Sequence, residues 1–210
     1  MLARCLQREL KPGMSVLDLC TGSGMLAVTA ALAGASVTAV DVSRRAALSV
    51  ELNAWLNGVD VEVIRGDLFG PLAGRRFDLI VSNPPYVPTP SDELPSSGPG
   101  RAWEAGQTGR VFIDRICSQV ADHLTPAGRL LMVHSTVCGE QQSLAALSGQ
   151  GLEAEVVWRH RGRLGPRLRE RADWLRQNEL LSDEDQDEVI VIRAVSRVPV
   201  GPVADRVGSM

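Results

Sequence analysis

The sequence predicts an α/β fold: a seven-stranded, mostly parallel sheet with an antiparallel last strand and helices on both faces. Three observations carry this. Short β-branched runs alternate with helical patterns along most of the chain, as expected for a parallel sheet covered on both sides. A glycine-containing turn, DLCTGSGMLA at 18–27, links a strand directly to a helix. The last two strands lack a comfortable crossover helix between them, so the final strand should run against its neighbours.

Each element follows from local pattern. SVLDL at 15–19 is the first strand, MLAVTAALAG at 25–34 a small-residue helix closed by Gly34, and SVTAV at 36–40 the second strand. Residues 44–58 are helical, capped by Ser43 at the start and by Gly58 at the end. VEVIRG at 61–66 and FDLIVS at 77–82 are the third and fourth strands. After a proline-rich loop, Ile113, Ile116, Cys117, Val120 and Leu124 recur at helical spacing, which predicts an amphipathic helix over 110–124. GRLLMVHS at 128–135 is the fifth strand, 140–149 a helix, LEAEVVWRH at 152–160 the sixth strand and DEVIVIRA at 187–194 the seventh. The stretch 167–178, with Leu168, Ala172 and Leu175 on one face, reads as a helical insertion. Residues 1–197 therefore form one domain, and 198–210, with two prolines and two glycines, a disordered tail.

Composition narrows the function. A chain of 210 residues holds one α/β domain with a sizeable core. The net charge of −3 supplies no general attraction for a phosphate backbone, which weighs against DNA or RNA as partner. Residues 19–40 carry no charge and are long enough to span a bilayer, but Gly22, Gly24, Gly34 and Ser36 punctuate the run, so no membrane segment is expected. The four cysteines form no C-x-x-C pair and mostly fall in apolar periodic segments, the pattern of a reduced, cytoplasmic protein with packed thiols. His123, His134 and His160 have no metal-ligand spacing, so no metal is expected.

Gly22, Gly24 and Ala27 satisfy G-x-G-x-x-G/A, a spacing that lets backbone N–H groups approach a ligand at a helix N-terminus; alone, it also fits a bare tight turn. Asp41, at the tip of the second strand, is placed to accept the hydroxyls of a ribose, since Ser43 is the better cap for the next helix. Asp67, after the third strand, lies at the same edge and can face a purine amine or merely a turn. These features fit a nicotinamide cofactor and S-adenosylmethionine equally.

The step SNPPYVPTP at 82–90 separates the two. Asn83 follows the fourth strand immediately, so its side chain projects at the carboxyl edge beside the glycine turn. Pro84 and Pro85 remove backbone donors and fix φ, and Tyr86, the only tyrosine, offers a flat face. A planar amide nitrogen is a poor nucleophile because its lone pair is delocalised. Acceptors aimed at its N–H bonds, the Asn83 Oδ1 and the Pro84 carbonyl, favour pyramidalisation and raise electron density on nitrogen.

With these residues the chain resembles class I S-adenosylmethionine-dependent methyltransferases of the HemK/PrmC-like protein-glutamine methyltransferase family, and GRAWEAGQTGR at 100–110 is similar to the A-W-x-G-G-x-x-G-R segment of its short, eukaryote/archaeal-like branch. The resemblance covers roughly residues 14–195 and implies a Rossmann-like seven-stranded domain. It implies that S-adenosylmethionine is held by Asp18, Cys20, Thr21, Gly22, Gly24, Asp41, Val42, Asp67, Leu68 and Asn83, and the substrate amide by the catalytic set Asn83, Pro84, Pro85 and Tyr86. It also implies a glutamine-containing, release-factor-like protein substrate and a small activating subunit as a candidate partner.

Two departures stand out. Family members carry an aromatic and acidic stretch ahead of the first strand that closes over the cofactor; here 14 residues precede Ser15 without one, so either the start is cut short or another element closes the site. The segment from Arg159 to Arg176 carries seven arginines and Trp174, and reads either as a solvated face or as a docking surface for an acidic or RNA-bound target. Rival functions are an adenine exocyclic-amine methyltransferase, which would need a base-flipping recognition region not visible here, a small-molecule methyltransferase, and a catalytically silent binding module.

Overall fold

The computed structural model describes residues 1–182 and 186–196. The predicted tail at 198–210 lies outside the described residues. Helix α1 (Leu2–Glu9) leads into β1 (Ser15–Leu19), α2 (Met25–Leu32), β2 (Ser36–Asp41), α3 (Arg44–Leu56), β3 (Glu62–Arg65) and β4 (Phe77–Ser82). Then follow α4 (Val111–Gln119), β5 (Leu124–Ser135), α5 (Glu140–Gly149), β6 (Leu152–Arg163), the short helices α6 (Pro166–Arg169) and α7 (Ala172–Gln177), and β7 (Gln186–Ser196). The strands form one sheet in the order β3-β2-β1-β4-β5-β7-β6. β1 to β5 pair in parallel, and β7 runs antiparallel to both β5 and β6, as the missing crossover helix predicts.

Alternation along β1 sorts the two faces. Leu17 and Leu19 pack with Ile80, Ile113, Ile116 and Leu147, so α4 and α5 cover one side. Val16 packs with Leu6, Ala27, Ala30 and Val50, so α1, α2 and α3 cover the other. Asp18 shares the parity of Val16 and is thereby driven, fully buried, against the start of α2.

The structure differs from the sequence reading in several places, among them β5, which begins at Leu124 rather than at 128. Helix α1 exists, docking Leu2, Cys5 and Leu6 at an i, i+3, i+4 spacing. The predicted 110–124 helix stops at Gln119 and finishes as a 3₁₀ turn over Val120–His123. β6 runs on to Arg163 because β7 pairs with it as far as Gln186. The 167–178 insertion breaks into α6 and α7 around Glu170 and Arg171. Among the described residues no helix is long and apolar enough to cross a membrane.

The outward face of α3 leaves Leu48, Leu52, Trp55 and Leu56 exposed, Trp55 by 75%. They recur at i, i+4, i+7 and i+8, which gathers them into one apolar stripe beside the edge strand β3.

Candidate active site

Parallel strands deliver their carboxyl ends to one rim, and the sheet order sets β1 between β2 and β4 there. The glycine turn after β1 is tied to both neighbours. The Thr21 N–H donates to the Val40 carbonyl at 3.2 Å, and the Ser82 hydroxyl donates to the Leu19 carbonyl at 3.0 Å. Gly22 and Gly24 both have positive φ, 57° and 82°. They serve different ends. A Cβ on Gly22 would meet nothing within 4 Å, so this backbone faces open space. A Cβ on Gly24 would stand 3.0 Å from both methyls of Val50, so Gly24 lets α2 and α3 approach closely.

Three carboxylates ring this turn. Asp18 Oδ2 accepts from the Thr21 hydroxyl at 2.6 Å and the Ala27 N–H at 3.0 Å, while its Oδ1 is buried with no partner. Burial pushes the Asp18 carboxyl up to about 7, against the pull of the Thr21 and Ala27 hydrogen bonds, and the nearby Asp41 adds to the rise. Asp41 spans the crevice, accepting from Gly22 N–H at 3.0 Å and from Ser43 N–H at 2.8 Å. Asp67 is exposed and gripped by both guanidinium nitrogens of Arg115, at 2.7 and 3.2 Å. The Cys20 thiol lies among them. Desolvation and the charges of Asp41 and Asp18 raise its pKa, which leaves it a packed thiol rather than a nucleophile. Cys20 and Leu68 hold left-handed backbones, φ 56° and 47°, at the ends of β1 and β3. For non-glycine residues this conformation costs roughly 1–2 kcal/mol. Val42 is exposed beside Asp41.

The other half of the rim is the loop after β4. Asn83 is exposed, and no described residue hydrogen-bonds its side-chain amide. Pro84 and Pro85 are buried beneath it, and Tyr86 is partly buried. Burial, with the charges of Asp187 and Cys138, pushes the Tyr86 phenol up to about 12, so it remains a neutral hydroxyl. The loop is locked from behind: Cys138 Sγ donates to the Tyr86 carbonyl at 3.0 Å, Val87 N–H to the Trp103 carbonyl at 2.7 Å, and Ala105 N–H to the Val87 carbonyl at 3.1 Å. Arg110, which ends GRAWEAGQTGR, is buried and binds the Cys138 and Gly139 carbonyls, Ser143 and Asp114, anchoring α4 to the start of α5.

The arginine-rich segment is built into this wall. Arg171 donates to the Pro88 carbonyl at 3.0 Å and pairs with Glu104 at 2.6 Å. The Arg167 guanidinium lies 4.3 Å from the centre of the Trp103 ring. Leu164, Leu168 and Leu175 pack on Val87. Arg159 pairs with Glu140 and Glu188. Neither reading of 159–176 anticipates this use, in which α6 and α7 brace the loop that presents Tyr86.

The residues predicted for the site thus gather on one rim, with Asp18, Cys20, Thr21, Gly22, Asp41, Val42, Asp67 and Leu68 around the crevice and Asn83 to Tyr86 beside it; Gly24, predicted with them, instead sits against Val50 and serves the packing of α2 on α3. Arg115, Ser82 and Arg171 belong to the arrangement too, through contacts that no local motif announces.

A family model for the methyltransferase small domain matches residues 1–93. A protein of Methanocaldococcus jannaschii, provisionally named a protein N5-glutamine methyltransferase, is 32% identical over 67% of this chain and 72% of its own length. The chain belongs to the protein-glutamine methyltransferase family. Within that family it is also 44% identical to the ribosomal protein uL3 glutamine methyltransferase of Bradyrhizobium diazoefficiens, over 55% of this chain. The chain spans only 39% of that relative's length. Among solved structures, the E. cuniculi Mtq2–Trm112 complex, responsible for methylation of the eRF1 translation termination factor, has the same fold, with a TM-score of 0.63 at 21% identity, over 93% of this chain and 92% of that one.

Proposed function

We propose that this chain transfers a methyl group from S-adenosylmethionine to the side-chain amide nitrogen of a glutamine in a protein acceptor of the release-factor or uL3 kind. The observation that carries the reading is the juxtaposition of an acidic crevice with an unpartnered Asn83 amide one strand away. The buried, partnerless Oδ1 of Asp18 and the open space over Gly22 fit a ligand that brings positive charge to the β1 turn. Asp41 adds negative charge, which suits a sulfonium and an ammonium and repels the pyrophosphate of a dinucleotide, whereas the charge of Asp67 is balanced by Arg115. Asp18, Gly22 and Asp41, with Cys20, Thr21, Val42, Asp67 and Leu68 around them, would hold the cofactor. When bound there, it supplies an electrophilic methyl group.

The chain's own contribution to the step is positioning. Asn83 Oδ1 and the Pro84 carbonyl accept the two amide hydrogens of the glutamine, which favours a pyramidal nitrogen. Buried prolines and the locked backbone of Tyr86 and Val87 keep those acceptors from turning aside. No buried base is needed, because the proton leaves to water after transfer. Residues 1–197 would act as one catalytic domain in a reducing, cytoplasmic setting that suits the four free cysteines. The exposed stripe of α3 beside β3 is the surface we assign to a small activating subunit; the E. cuniculi protein of the same fold is itself found in a complex with a second protein, Trm112.

The test is fragment mass spectrometry of candidate glutamine-containing acceptors incubated with the chain and isotopically labelled S-adenosylmethionine. Label on a glutamine side chain is expected. Label confined to adenine or to a small molecule would refute the assignment.

A further inference from the structure

Tyr86 faces a second space besides the cofactor crevice. A cleft of about 360 Å³ opens between Tyr86 and Val87, the end of β6, the start of α6, and β7. Its charges are arranged in two levels. Asp187, on the β7 side, accepts a hydrogen bond from the Ser135 hydroxyl, and burial raises its pKa. Arg163 and Arg167, on the β6 and α6 side, are both exposed.

The two cations are differently supported. The Arg167 guanidinium lies over the Trp103 ring, and its one ion pair among the described residues, with Glu170 three residues on, spans 3.3 Å between half-exposed groups. Such a pair contributes little and yields readily to a better partner. Among the described residues Arg163 has neither an ion pair nor a side-chain hydrogen bond, although most arginines of the 159–176 segment do. The backbone that carries both is fixed, because Arg163 pairs with Gln186 across the β6–β7 ladder and Leu164 and Leu168 are buried against Val87.

We propose that this cleft is a second recognition site, in which Arg163 and Arg167 hold an acidic side chain of the acceptor protein close to the methylated glutamine. The proposal rests on the glutamine reading above. The carboxylate would sit at the cationic wall, and the remaining Asp187 oxygen would accept an N–H from the acceptor's backbone. Tyr86 links the cleft to Asn83 through the two rigid residues Pro84 and Pro85, so a segment that fills the cleft presents its glutamine at the acceptor pair. This assigns substrate selection to the arginine-rich insertion.

The test uses fluorescent peptides with one glutamine and with Asp, Asn or Lys at each of the flanking positions, bound to the intact chain in the presence of S-adenosylhomocysteine. At one flanking position Asp is expected to bind about fivefold to tenfold tighter than Asn, the scale of a charge-assisted bond weakened by partial exposure. Arg163→Glu should invert the order there, so that Lys binds tighter than Asp. Because the readout is a preference ratio, a loss of folded protein does not mimic it. Equal binding of Asp and Asn peptides at every position, or an Asp preference that survives Arg163→Glu combined with Arg167→Glu, overturns the proposal. Mass analysis of the same peptides keeps the two claims apart. Methylated glutamine without any Asp preference overturns the cleft alone, whereas methyl groups on no glutamine overturn the glutamine reading and this assignment with it.

Discussion

Adding one methyl group to either glycine of the β1 turn should separate packing from ligand contact. Gly24→Ala forces a non-glycine residue to φ 82° and drives its Cβ to 3.0 Å from two Val50 methyls, on a valine that is fully buried. The left-handed backbone costs roughly 1–2 kcal/mol, and overpacking a tight contact roughly 1–3 kcal/mol. The sum, about 2–5 kcal/mol, is a large part of the stability of a domain of this size. A urea titration followed by tryptophan fluorescence should show a midpoint lower by roughly 1–2 M. Gly22→Ala incurs only the backbone cost, since no atom lies within 4 Å of its Cβ, so its midpoint should fall by about half as much. Its effect belongs to the ligand. The new methyl group projects where the cofactor is to lie, and calorimetric affinity for S-adenosylhomocysteine should drop at least about tenfold. Equal midpoint shifts for the two variants, or a Gly22→Ala protein that binds the cofactor as well as the parent, would refute this division of roles.

Other expectations concern the carboxylates and the insertion. Asp41→Ala should weaken S-adenosylhomocysteine binding by about 1.5–3 kcal/mol, the range for charge-assisted hydrogen bonds; an unchanged calorimetric affinity would remove Asp41 from the cofactor site. The folded-state pKa of Asp18, about 7, lies above its ordinary value, so the folded protein takes up the proton more readily than the unfolded chain. Stability measured relative to Asp18→Asn should therefore fall as pH rises from about 4 to about 7 and level off above; a flat difference would contradict a carboxyl whose burial outweighs its two hydrogen bonds. Arg171→Ala cuts α7 from Glu104 and from the Pro88 carbonyl, so it should raise KM for the acceptor more than for the cofactor, as steady-state kinetics would show.

How far the sequence foretells this arrangement differs from residue to residue. Ser15–Leu19 and Phe77–Ser82 are read to the residue, because each is a compact apolar run ended by a turn signal. Ser43 caps α3 as its spacing predicts, accepting from Ala46 N–H. The far end of β6 escapes because it is an edge strand with a register shift between Val156 and Trp158, which leaves HRGR polar on both faces and breaks the period of two. Helix α1 is hidden by brevity; its apolar residues are correctly spaced but interleaved with charge. Within the site, the rim residues are legible from short motifs, whereas the Arg115 grip on Asp67 and the Arg171 pair with Glu104 join positions 48 and 67 residues apart. The left-handed backbones at Cys20 and Leu68 have no signal in residue type, since neither is glycine or asparagine.

The central claim is that Asn83, which the family resemblance also sets among the cofactor residues, acts on the acceptor nitrogen rather than on the cofactor, and one variant tests it most directly. Asn83 is exposed, bonded to no described residue and one strand away from the carboxylate ring, so Asn83→Ala should leave folding and S-adenosylhomocysteine affinity nearly intact. Its loss should fall on kcat, by about 10²–10³ or more, the cost of removing one preorganised group that acts mainly in the transition state. Single-turnover methyl transfer to the true acceptor, measured beside cofactor affinity in the same preparation, gives both quantities. A fall in rate of that size with unchanged affinity is the predicted result; turnover within about threefold of the parent, less than 1 kcal/mol, would contradict the account and leave the proline step a rigid turn.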